Sequence, residues 1–450
     1  MTAPARTAAL SALRAIERGR GSLPAELARA HAGLADERDR ALATTIVTGT
    51  LRWQRACDHL IAHFAQRPLD RLDIAVCLIL RLSLYQLLHL DRVPASAVVD
   101  DAVTLTRAAG LRSATGFVNA VLRSTLRQRH RLPFPPRPVD TSDRNAAARY
   151  LGVTCSHPDW LVSRWLDRYG FEHTEQWTAF NNSPAPVTLS VNRIRATRDD
   201  VRARLSADEV VTAPTRFAPA GLTVLEGDAL QYASDGRFFA QDEASQLVAL
   251  AVDGKPGERT LDLCASPGGK TVNMAGDMDD EGVIVACDAR VPRVALLRET
   301  LRRAGTHHAH VAHVADTGPL PFAGGFDRVL VDAPCSGLGT VRREPDIKWR
   351  RHESDLADLA SRQLALLERA ADVVRPGGRL VYATCSSEPE ENERVVERFL
   401  AGHGGFHPVD LRATGPQALA ALLDDRGMLR TLPFTHGLEA FYAAALRRAP

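Results

Sequence analysis

The sequence lacks any apolar run near the roughly 20 residues that a membrane-spanning helix needs. Its opening stretch, MTAPARTAALSALRAIERGR, also lacks the compact apolar core of a secretory signal. Seven cysteines are present, yet none form a CxxC pair or a Cys/His cluster at zinc spacing. We therefore predict a cytoplasmic protein with free thiols, without a membrane span, a disulfide framework or a metal.

Lysine is scarce as well, because only three of the 56 basic residues are lysines, namely Lys255, Lys270 and Lys348. The net charge is +2, but residues 1–130 carry +7 and the remainder carries −5. A basic N-terminal part suggests a polyanionic partner such as RNA, although an ordinary solvated surface explains so modest an excess about as often. The sequence does not reveal the oligomeric state, and a monomer is the default expectation.

The spacing of apolar residues divides the chain into distinct parts. Residues 1–130 show helical spacing throughout and predict an all-α bundle. The proline-rich stretch 131–144 reads as a linker. Residues 145–235 mix helical and strand-like runs and predict a small α+β unit. From 236 to 450, five strand-like runs alternate regularly with helical runs, which predicts a Rossmann-like α/β domain with a parallel sheet covered on both faces.

Polar residues and cysteines follow the predicted strands of this last part. In an open parallel sheet, ligands bind beyond the carboxyl ends of the strands, so we expect the residues that follow the strands to lie at the ligand site. They are the turn CASPGGKT at 264–271, the acids Asp288, Asp316 and Asp332, and the thiols Cys335 and Cys385.

The CASPGGKT turn is not a phosphate-binding loop. The GxxxxGK[ST] pattern requires glycine where Cys264 stands, Pro267 would stiffen the loop, and GxGxxG is absent. A glycine pair still lets the backbone approach a ligand closely. Asp288, at the end of the next strand, is placed to accept both ribose hydroxyls of a nucleoside. A nucleoside site without a phosphate-binding loop favours S-adenosylmethionine over ATP or NAD. The alternative is that CASPGGKT is only a tight turn and Asp288 only a surface acid.

Asp316 stands at the end of the third strand-like run. An Asp before Thr-Gly is by itself more often a turn former than a ligand. Its place in the series of acids at strand ends favours a contact to the adenine side of the cofactor.

The two cysteines suit the C5 methylation of a pyrimidine. A lone cysteine is usually an inert core residue, but Cys335 and Cys385 both end strand-like runs and both precede a serine. C5 of cytosine is a poor nucleophile until a thiolate adds to C6, after which it can accept a methyl group from a sulfonium. Asp332 is placed to hydrogen-bond or protonate N3. One thiol suffices for attack, and a second could assist proton removal or product release.

Several segments resemble the catalytic motifs of the Nol/Nop/Sun RNA cytosine-5 methyltransferases: QDEASQLVA, LDLCASPGGKT, FDRVLVDAPCSGLGTVRREPDIKW and GGRLVYATCSSEPEENE. DRALATTIVTGTLRWQRACDHLI, RVPASAVVDDAV and GFVNAVLR resemble the NusB-like helical RNA-binding domain that precedes the catalytic part in the Sun/Fmu (RsmB-type) branch of that family. The resemblance covers nearly the whole chain. It implies S-adenosylmethionine-dependent methylation of RNA, with 16S ribosomal RNA as the substrate in that branch.

The resemblance also implies a role for each candidate residue. Cys385, in the TCS motif, is implied as the nucleophile, whereas Cys335 is implied to serve product release. It further implies a NusB-like domain over 1–130, an RNA-binding α+β subdomain over 145–235 and a methyltransferase domain over 236–450. The residues implied to line the cofactor site are Cys264, Ala265, Ser266, Pro267, Gly268, Gly269, Lys270, Asp288, Asp316 and Asp332.

Other interpretations stay open at this point. The substrate could be transfer RNA, since relatives methylate either RNA. A NusB-like RNA-binding or assembly factor with a decayed catalytic domain is disfavoured by the intact Cys335, Cys385 and Asp332. Methylation of cytosine in DNA would leave Cys385 unexplained.

A basic segment after the Cys335 turn is a further candidate for RNA contact. Chemistry on C5 and C6 requires an unstacked base, so the substrate should be a loop or a flipped nucleotide. Charge and stacking could hold such a strand, although an ordinary solvated loop is the alternative. The side chains concerned are Arg342, Arg343, Lys348, Trp349, Arg350 and Arg351.

Overall fold

The structure is a computed structural model that describes residues 3–450. The chain forms two compact units. The first extends to Pro184 and also takes in Val341–Glu353, and the second comprises Ala185–Thr340 and Ser354–Pro450. Among the described residues, no helix combines the length and apolar character needed to cross a bilayer.

The helices and strands follow one another along the chain with these bounds. The helices are α1 (Pro4–Glu17), α2 (Leu23–Ala32), α3 (Glu37–Arg52), α4 (Gln54–Ala65), α5 (Ile74–His89), α6 (Ala95–Ala108), α7 (Thr115–Arg127), α8 (Arg144–Arg149), α9 (Asp159–Asn182), α10 (Arg198–Ala207), α11 (Glu243–Val252), α12 (Gly269–Asp277), α13 (Val291–Ala304), α14 (Ile347–Arg350), α15 (Asp355–Ala371), α16 (Glu393–Gly402), α17 (Leu411–Thr414) and α18 (Pro433–His436). The strands are β1 (Thr188–Val191), β2 (Val211–Pro214), β3 (Gly221–Glu226), β4 (Phe238–Ala240), β5 (Arg259–Leu263), β6 (Val283–Asp288), β7 (Ala309–His313), β8 (Phe326–Asp332), β9 (Val374–Thr384), β10 (Phe406–Pro408), β11 (Leu429–Arg430) and β12 (Tyr442–Arg448).

The first unit is the predicted helical bundle, built around α5. This helix is apolar on every face, and residues 75–86 are all buried, as expected for a helix surrounded by others. Its buried Arg81 is neutralised by Asp58, with Nε–Oδ1 at 2.6 Å and Nη2–Oδ2 at 2.9 Å. Residues 131–143 of the predicted linker form neither helix nor strand, and α8 begins at its last residue. Leu132 and Phe134 of the linker pack against the bundle core.

The second unit begins with a small antiparallel sheet of order β2-β3-β1-β4. Leu189, Val191 and Leu222 form its core with apolar residues of α10. The observed limits differ from the predicted 145–235 in two respects. Residues up to Pro184 belong to the first unit, and β4 extends the sheet past 235 because Phe238 pairs with Val191.

The larger sheet of the second unit has the order β10-β12-β9-β8-β5-β6-β7, with β11 paired to β12. The five predicted strands β5 to β9 are present and pair in parallel. The predicted sheet was wholly parallel, and this was wrong at one edge, where β12 runs antiparallel to β9. The chain moves outward from β5 to β7 and then returns to β8, so the strand order reverses between β5 and β8. Such a switch point opens a crevice at the carboxyl ends of the strands.

The basic segment predicted to contact RNA instead turns into the first unit. Lys348 is fully buried, and its Nζ donates to the carbonyl oxygens of Arg52 at 2.9 Å and Ser156 at 2.7 Å. Trp349 Nε1 donates to Leu51 O at 2.6 Å. The proposed RNA contact is therefore wrong for Lys348, whose ammonium satisfies buried backbone carbonyls, whereas stacking by the half-buried Trp349 stays a prediction.

Arg342 and Arg350 of the same segment also have partners within the first unit. Arg342 Nη2 donates to Pro184 O at 2.6 Å, and Arg350 pairs with the buried Asp346 at 2.7 Å. Burial lowers the pKa of Lys348 well below its usual value, and the nearby Arg52 charge adds to the effect. The segment 341–353 is thus held by its polar side chains as well as by packing.

We expect Lys348→Ala to lower the free energy of unfolding by about 3 kcal/mol, because it empties a packed site and leaves two buried carbonyls without a donor. Lys255→Ala is the matched control, since Lys255 is mostly exposed and its pairing with Asp253 should be worth no more than about 1 kcal/mol. Urea unfolding followed by tryptophan fluorescence measures both. Equal losses in the two variants would contradict the role assigned to Lys348.

Candidate active site

The two candidate thiols meet at the carboxyl ends of neighbouring strands. Cys335 lies just beyond β8 and Cys385 directly after β9, and Asp332 pairs with Ala383 in the parallel register. The two Sγ atoms are 3.2 Å apart, and both side chains are partly buried free thiols. Sequence reasoning placed both thiols in one crevice, and the structure brings them into contact.

Gly339 closes the loop that follows Cys335. Its N–H donates to Cys385 O at 3.0 Å, and its carbonyl accepts from Ala440 N at 3.0 Å. A Cβ atom at this position would lie 1.9 Å from Ala440 O and 2.8 Å from Cys385 O. Because backbone occupies that space, only glycine allows the Cys335 loop to lie against the Cys385 turn.

A buried carboxylate, Glu391, joins the two cysteine turns. Its Oε1 accepts from Ser336 N at 2.8 Å and from Gln363 Nε2 at 2.9 Å. Its Oε2 accepts from the hydroxyls of Ser336 and Ser386, each at 2.5 Å. The serine after each cysteine therefore binds the same carboxylate.

Side chains around Glu391 extend this network. Gln363 also donates to Pro334 O at 3.0 Å, and the Tyr382 hydroxyl donates to Glu391 O at 2.5 Å. Asn392 accepts from the Thr384 hydroxyl at 2.5 Å and donates to Ser386 O at 3.0 Å. Sequence reasoning missed Glu391, because the PEENE run holds several glutamates and nothing local distinguishes the one that points inward.

Lys270 forms an ion pair with Asp332 beside the thiols. Its Nζ lies 2.8 Å from Asp332 Oδ2 and 5.8 Å from the centre of the Phe441 ring. Burial opposes the charge of the ammonium, but the pKa of Lys270 is nevertheless raised, because the attraction and hydrogen bond of Asp332 outweigh burial and Cys385 adds to them. Lys270 is therefore a cation held close to both Asp332 and Cys385.

The CASPGGKT turn joins β5 to α12 and places Lys270 in the first turn of that helix. Gly268 has a φ of +110°, which side-chain-bearing residues rarely adopt. A Cβ on Gly269 would be 3.1 Å from the Gln241 side chain. Arg293 Nη2 donates to Ser266 O at 2.9 Å, which ties the turn to α13.

Cys264 belongs to this turn but not to the thiol pair. The residue is half-buried. Burial of its thiol, together with the negative charges of Asp332 and Asp288, raises the pKa of Cys264 to about 12. A thiol that stays protonated fits a wall of the site and not a nucleophile.

Asp262, within β5, is an acid that sequence reasoning missed. It is fully buried, and its Oδ2 accepts from the Thr271 hydroxyl at 2.6 Å. Burial raises the pKa of Asp262 to about 7, despite the opposing hydrogen bond from Thr271. A charged residue inside the otherwise apolar LDLCA run was the available signal.

The other two acids lie where the strand pattern predicted, but in different environments. Asp288 ends β6, is buried, and accepts from Arg290 N at 3.0 Å through Oδ1. Asp316 lies in the loop after β7 with its side chain exposed, and its backbone oxygen accepts from Arg369 Nη1 at 2.8 Å. The structure thus positions Asp288 rigidly, whereas the described residues offer the Asp316 carboxylate no hydrogen bond.

Buried oxygens around the turn fit a nucleoside ligand. Within the described chain, Asp262 Oδ1 and Ser266 Oγ are buried and make no hydrogen bond, and Asp288 Oδ2 is buried with only the Arg293 guanidinium, whose Nε is 3.5 Å away, as an ion-pair partner. Unsatisfied buried oxygens are costly unless a ligand or water supplies the partner. The hydroxyl and amino groups of S-adenosylmethionine would supply such partners, so the residues present fit this cofactor.

The raised pKa of Asp262 predicts a pH dependence of stability. Between about pH 4 and pH 7 the folded state keeps a proton that the unfolded state releases, so the free energy of unfolding falls as pH rises. Asp262→Asn removes this titration. The free energy of unfolding of Asp262→Asn minus that of wild type should therefore be about 2 kcal/mol larger at about pH 7.5 than at about pH 5. Urea unfolding at the two pH values measures this change. Parallel pH curves for the two proteins would contradict the raised pKa.

Family models match three segments of the chain. A model described as 16S rRNA methyltransferase RsmB/F matches residues 249–447, the NusB family matches residues 3–127, and an RsmF/B-like ferredoxin-like domain matches residues 157–230. These matches confirm the predicted NusB-like bundle, the small α+β unit and the methyltransferase domain.

Known proteins resemble the chain over nearly their full lengths. Ribosomal RNA small subunit methyltransferase B of Pseudomonas syringae pv. tomato is 34% identical, covering 98% of this chain and 96% of that protein. The crystal structure of PH0851 covers 100% of this chain and 99% of its own at 25% identity, with a TM-score of 0.81. A methyltransferase homolog from Pyrococcus horikoshii covers 66% of this chain and 96% of its own at 27% identity, with a TM-score of 0.56. Together with the site geometry, these similarities show that the chain belongs to the RsmB/F family of S-adenosylmethionine-dependent 16S rRNA methyltransferases.

Proposed function

We propose that the protein methylates C5 of a cytosine in 16S ribosomal RNA through a covalent bond between Cys385 Sγ and C6 of the base. The observation that carries this proposal is the contact of two thiols, 3.2 Å apart, beside the Lys270–Asp332 ion pair. Methylation of an exocyclic amine needs no thiolate, whereas methylation of C5 does, because C5 becomes nucleophilic only after a nucleophile has added to C6.

The surroundings of the two thiols support different roles for them. A hydrogen bond to Cys385, together with burial, raises the pKa of Cys335 well above its usual value, so Cys335 stays protonated. Cys385 is the thiol that interacts with the Lys270 ammonium, which would compensate the charge of a thiolate. We therefore assign attack on C6 to Cys385.

Cys335 then acts on the Cys385 sulfur when the product leaves. Release requires that C5 lose its proton to water, that the freed electron pair form the C5–C6 double bond, and that the S–C6 bond break with its electron pair returning to Cys385. A protonated Cys335 at 3.2 Å can donate a hydrogen bond to that sulfur and stabilise it as a leaving group. This role agrees with the one that the family resemblance implies.

Asp332 is proposed to bind N3 of the base. Adding a thiolate to C6 places negative charge on the ring, and a proton carried by Asp332 would pass to N3 and stabilise it, leaving a carboxylate that pairs with the Lys270 ammonium. The Lys270 ammonium at 2.8 Å orients the Asp332 carboxyl and supplies positive charge beside the ring. Because both groups are held in a partly buried site, this stabilisation is less screened by water than at an exposed surface.

The cofactor is proposed to lie against the glycine turn and the ends of β5 and β6. When bound, S-adenosylmethionine supplies the electrophilic methyl group. Asp288 would accept the ribose hydroxyls, Asp316 would contact the adenine side, and Asp332 would face the reacting end. The turn residues proposed to line the site are Cys264, Ala265, Ser266, Pro267, Gly268, Gly269 and Lys270.

Ribosomal RNA is the proposed substrate because relatives matched over nearly their whole lengths are named small subunit ribosomal RNA methyltransferases. The excess of basic residues in 1–130 and the NusB match over 3–127 support RNA binding by the first unit. The subdomain of β1 to β4 is proposed to contribute to the same binding. Transfer RNA is the competing substrate, and assay of both RNAs decides between them.

The thiol roles predict which variant traps RNA. After incubation with S-adenosylmethionine and unmodified 16S ribosomal RNA, Cys335→Ala should form a stable protein–RNA adduct on a denaturing gel, because attack proceeds while release fails. Cys385→Ala should lose methyl transfer and form no adduct. Cys77→Ala, which removes a buried thiol from α5, is the control and should behave as wild type.

Other outcomes of that experiment would overturn parts of the proposal. An adduct in Cys385→Ala would exchange the two roles and favour the mechanism of DNA cytosine methylation. If neither 16S nor transfer RNA is methylated or trapped by any variant, the protein would be an RNA-binding factor and not an enzyme acting on these RNAs.

Asp288→Asn should weaken binding of S-adenosylhomocysteine by about 10-fold in titration calorimetry, because a charged acceptor for the ribose hydroxyls becomes neutral. Asp279→Asn makes the same chemical change at an exposed loop position and should leave the affinity unchanged. Equal affinities in the two variants would remove Asp288 from the cofactor site.

A further inference from the structure

The hydrogen bonds around Glu391 all run in one direction. Ser336 Oγ accepts from Leu338 N at 3.3 Å, and Ser386 Oγ accepts from Glu388 N at 3.1 Å. Each serine therefore has its hydroxyl proton available for the 2.5 Å contact with Glu391 Oε2. Both serines donate to the carboxylate.

The other oxygen of Glu391, Oε1, also only accepts hydrogen bonds, from Ser336 N and from Gln363 Nε2. An ionised carboxylate is the protein side chain that accepts at both ends and donates at neither. A glutamine in the same place would have to reverse both serine contacts, because its amide group would donate to the hydroxyls instead of accepting from them. The hydrogen-bond directions seen here are therefore those of a carboxylate.

This charge is buried without a cation. Glu391 is fully buried, and in the described part of the chain no basic side chain pairs with it. The neighbouring glutamates Glu390 and Glu393 pair with Arg394 and Arg430 instead. Burying an uncompensated charge is costly, so packing alone would be served better by an apolar or amide side chain.

We propose that Glu391 is a positioning residue for the thiol chemistry, holding the Cys335 and Cys385 turns together through Ser336 and Ser386. The inference rests on the proposed function of the two thiols. Ser336 and Ser386 each follow one of the cysteines, and their Oγ atoms are 3.2 Å apart, the same separation as the two sulfurs. The carboxylate thus fixes the distance across which one thiol acts on the other.

The charge of Glu391 has a second effect on the pair. It adds to the hydrogen bond that Cys335 donates to Cys385 and to burial in keeping the pKa of Cys335 high. Glu391 therefore favours the protonated Cys335 that product release uses, while its serine contacts fix the geometry.

The first test compares Glu391→Gln with wild type in steady-state methyl transfer. We expect kcat to fall by about 100-fold, because a displacement of about 1 Å between reacting groups costs that much. KM for S-adenosylmethionine should stay unchanged, since Glu391 contacts no residue proposed to bind the cofactor. Glu390→Gln is the control, with the same change one residue away at the ion pair with Arg394.

The second test measures thiol proximity without catalysis, using arsenite as the probe. Arsenous acid condenses with two adjacent thiols to form two As–S bonds and releases two waters, so its affinity reports their spacing. Protection of Cys335 and Cys385 from iodoacetamide, followed by peptide mass spectrometry, gives that affinity. We expect Glu391→Gln to weaken it by about 10-fold and Glu390→Gln to leave it unchanged.

The double variant Ser336→Ala/Ser386→Ala tests the same links if Glu391→Gln fails to fold, because it keeps the carboxylate and removes both serine hydroxyls that bind it. It should lower kcat and arsenite affinity in the same way, and adding Glu391→Gln should cost little more. If Glu391→Gln keeps the kcat and the arsenite affinity of wild type, this inference is overturned while the proposed C5 methylation is unaffected. The same conclusion follows if wild type itself does not bind arsenite. If Glu391→Gln binds arsenite more weakly than wild type, but wild type forms no 5-methylcytosine, the positioning role is supported and the proposed reaction is rejected.

Discussion

The parallel pairing of β8 with β9 is the interaction on which the candidate active site depends. Because Asp332 and Ala383 are register partners, the chain leaves both strands at the same edge of the sheet. Cys335 and Cys385 follow within three residues, and the absence of a side chain at Gly339 lets the first loop lie against the second. A shift of register by one residue would turn these side chains to opposite faces and separate the thiols.

Electrostatics then gives chemically identical groups different properties. Cys264 and Cys335 are kept protonated by burial, hydrogen bonding and nearby carboxylates, whereas Cys385 lies near the Lys270 cation. Asp262 is fully buried and titrates near neutral pH, whereas Asp332 is balanced by Lys270. The degree of burial of each group and its distance from the Lys270 cation distinguish roles that residue type leaves equal.

The three lysines show the same dependence on environment. Lys255 forms a surface pair with Asp253, and Lys270 forms a partly buried pair with Asp332. Lys348 is buried with two backbone carbonyls and the Trp349 ring as partners. The other basic residues of the chain are arginines, whose planar guanidinium is not interchangeable with the compact ammonium of a lysine. The basic appearance of 341–353 misled the sequence interpretation because a lysine stem is apolar and can enter a core when the head finds acceptors.

The sequence by itself determined the helical first part, the five parallel strands and the position of the glycine turn, the acids and the thiols at strand ends. These features follow from local periodicity and from the rule that parallel strands present their carboxyl ends at one edge. Only the tertiary structure decided the 3.2 Å contact between the sulfurs, the choice of Glu391 within the PEENE run and the inward course of Lys348. Each of these depends on contacts between residues distant in sequence, and such contacts leave no periodic signal in the chain.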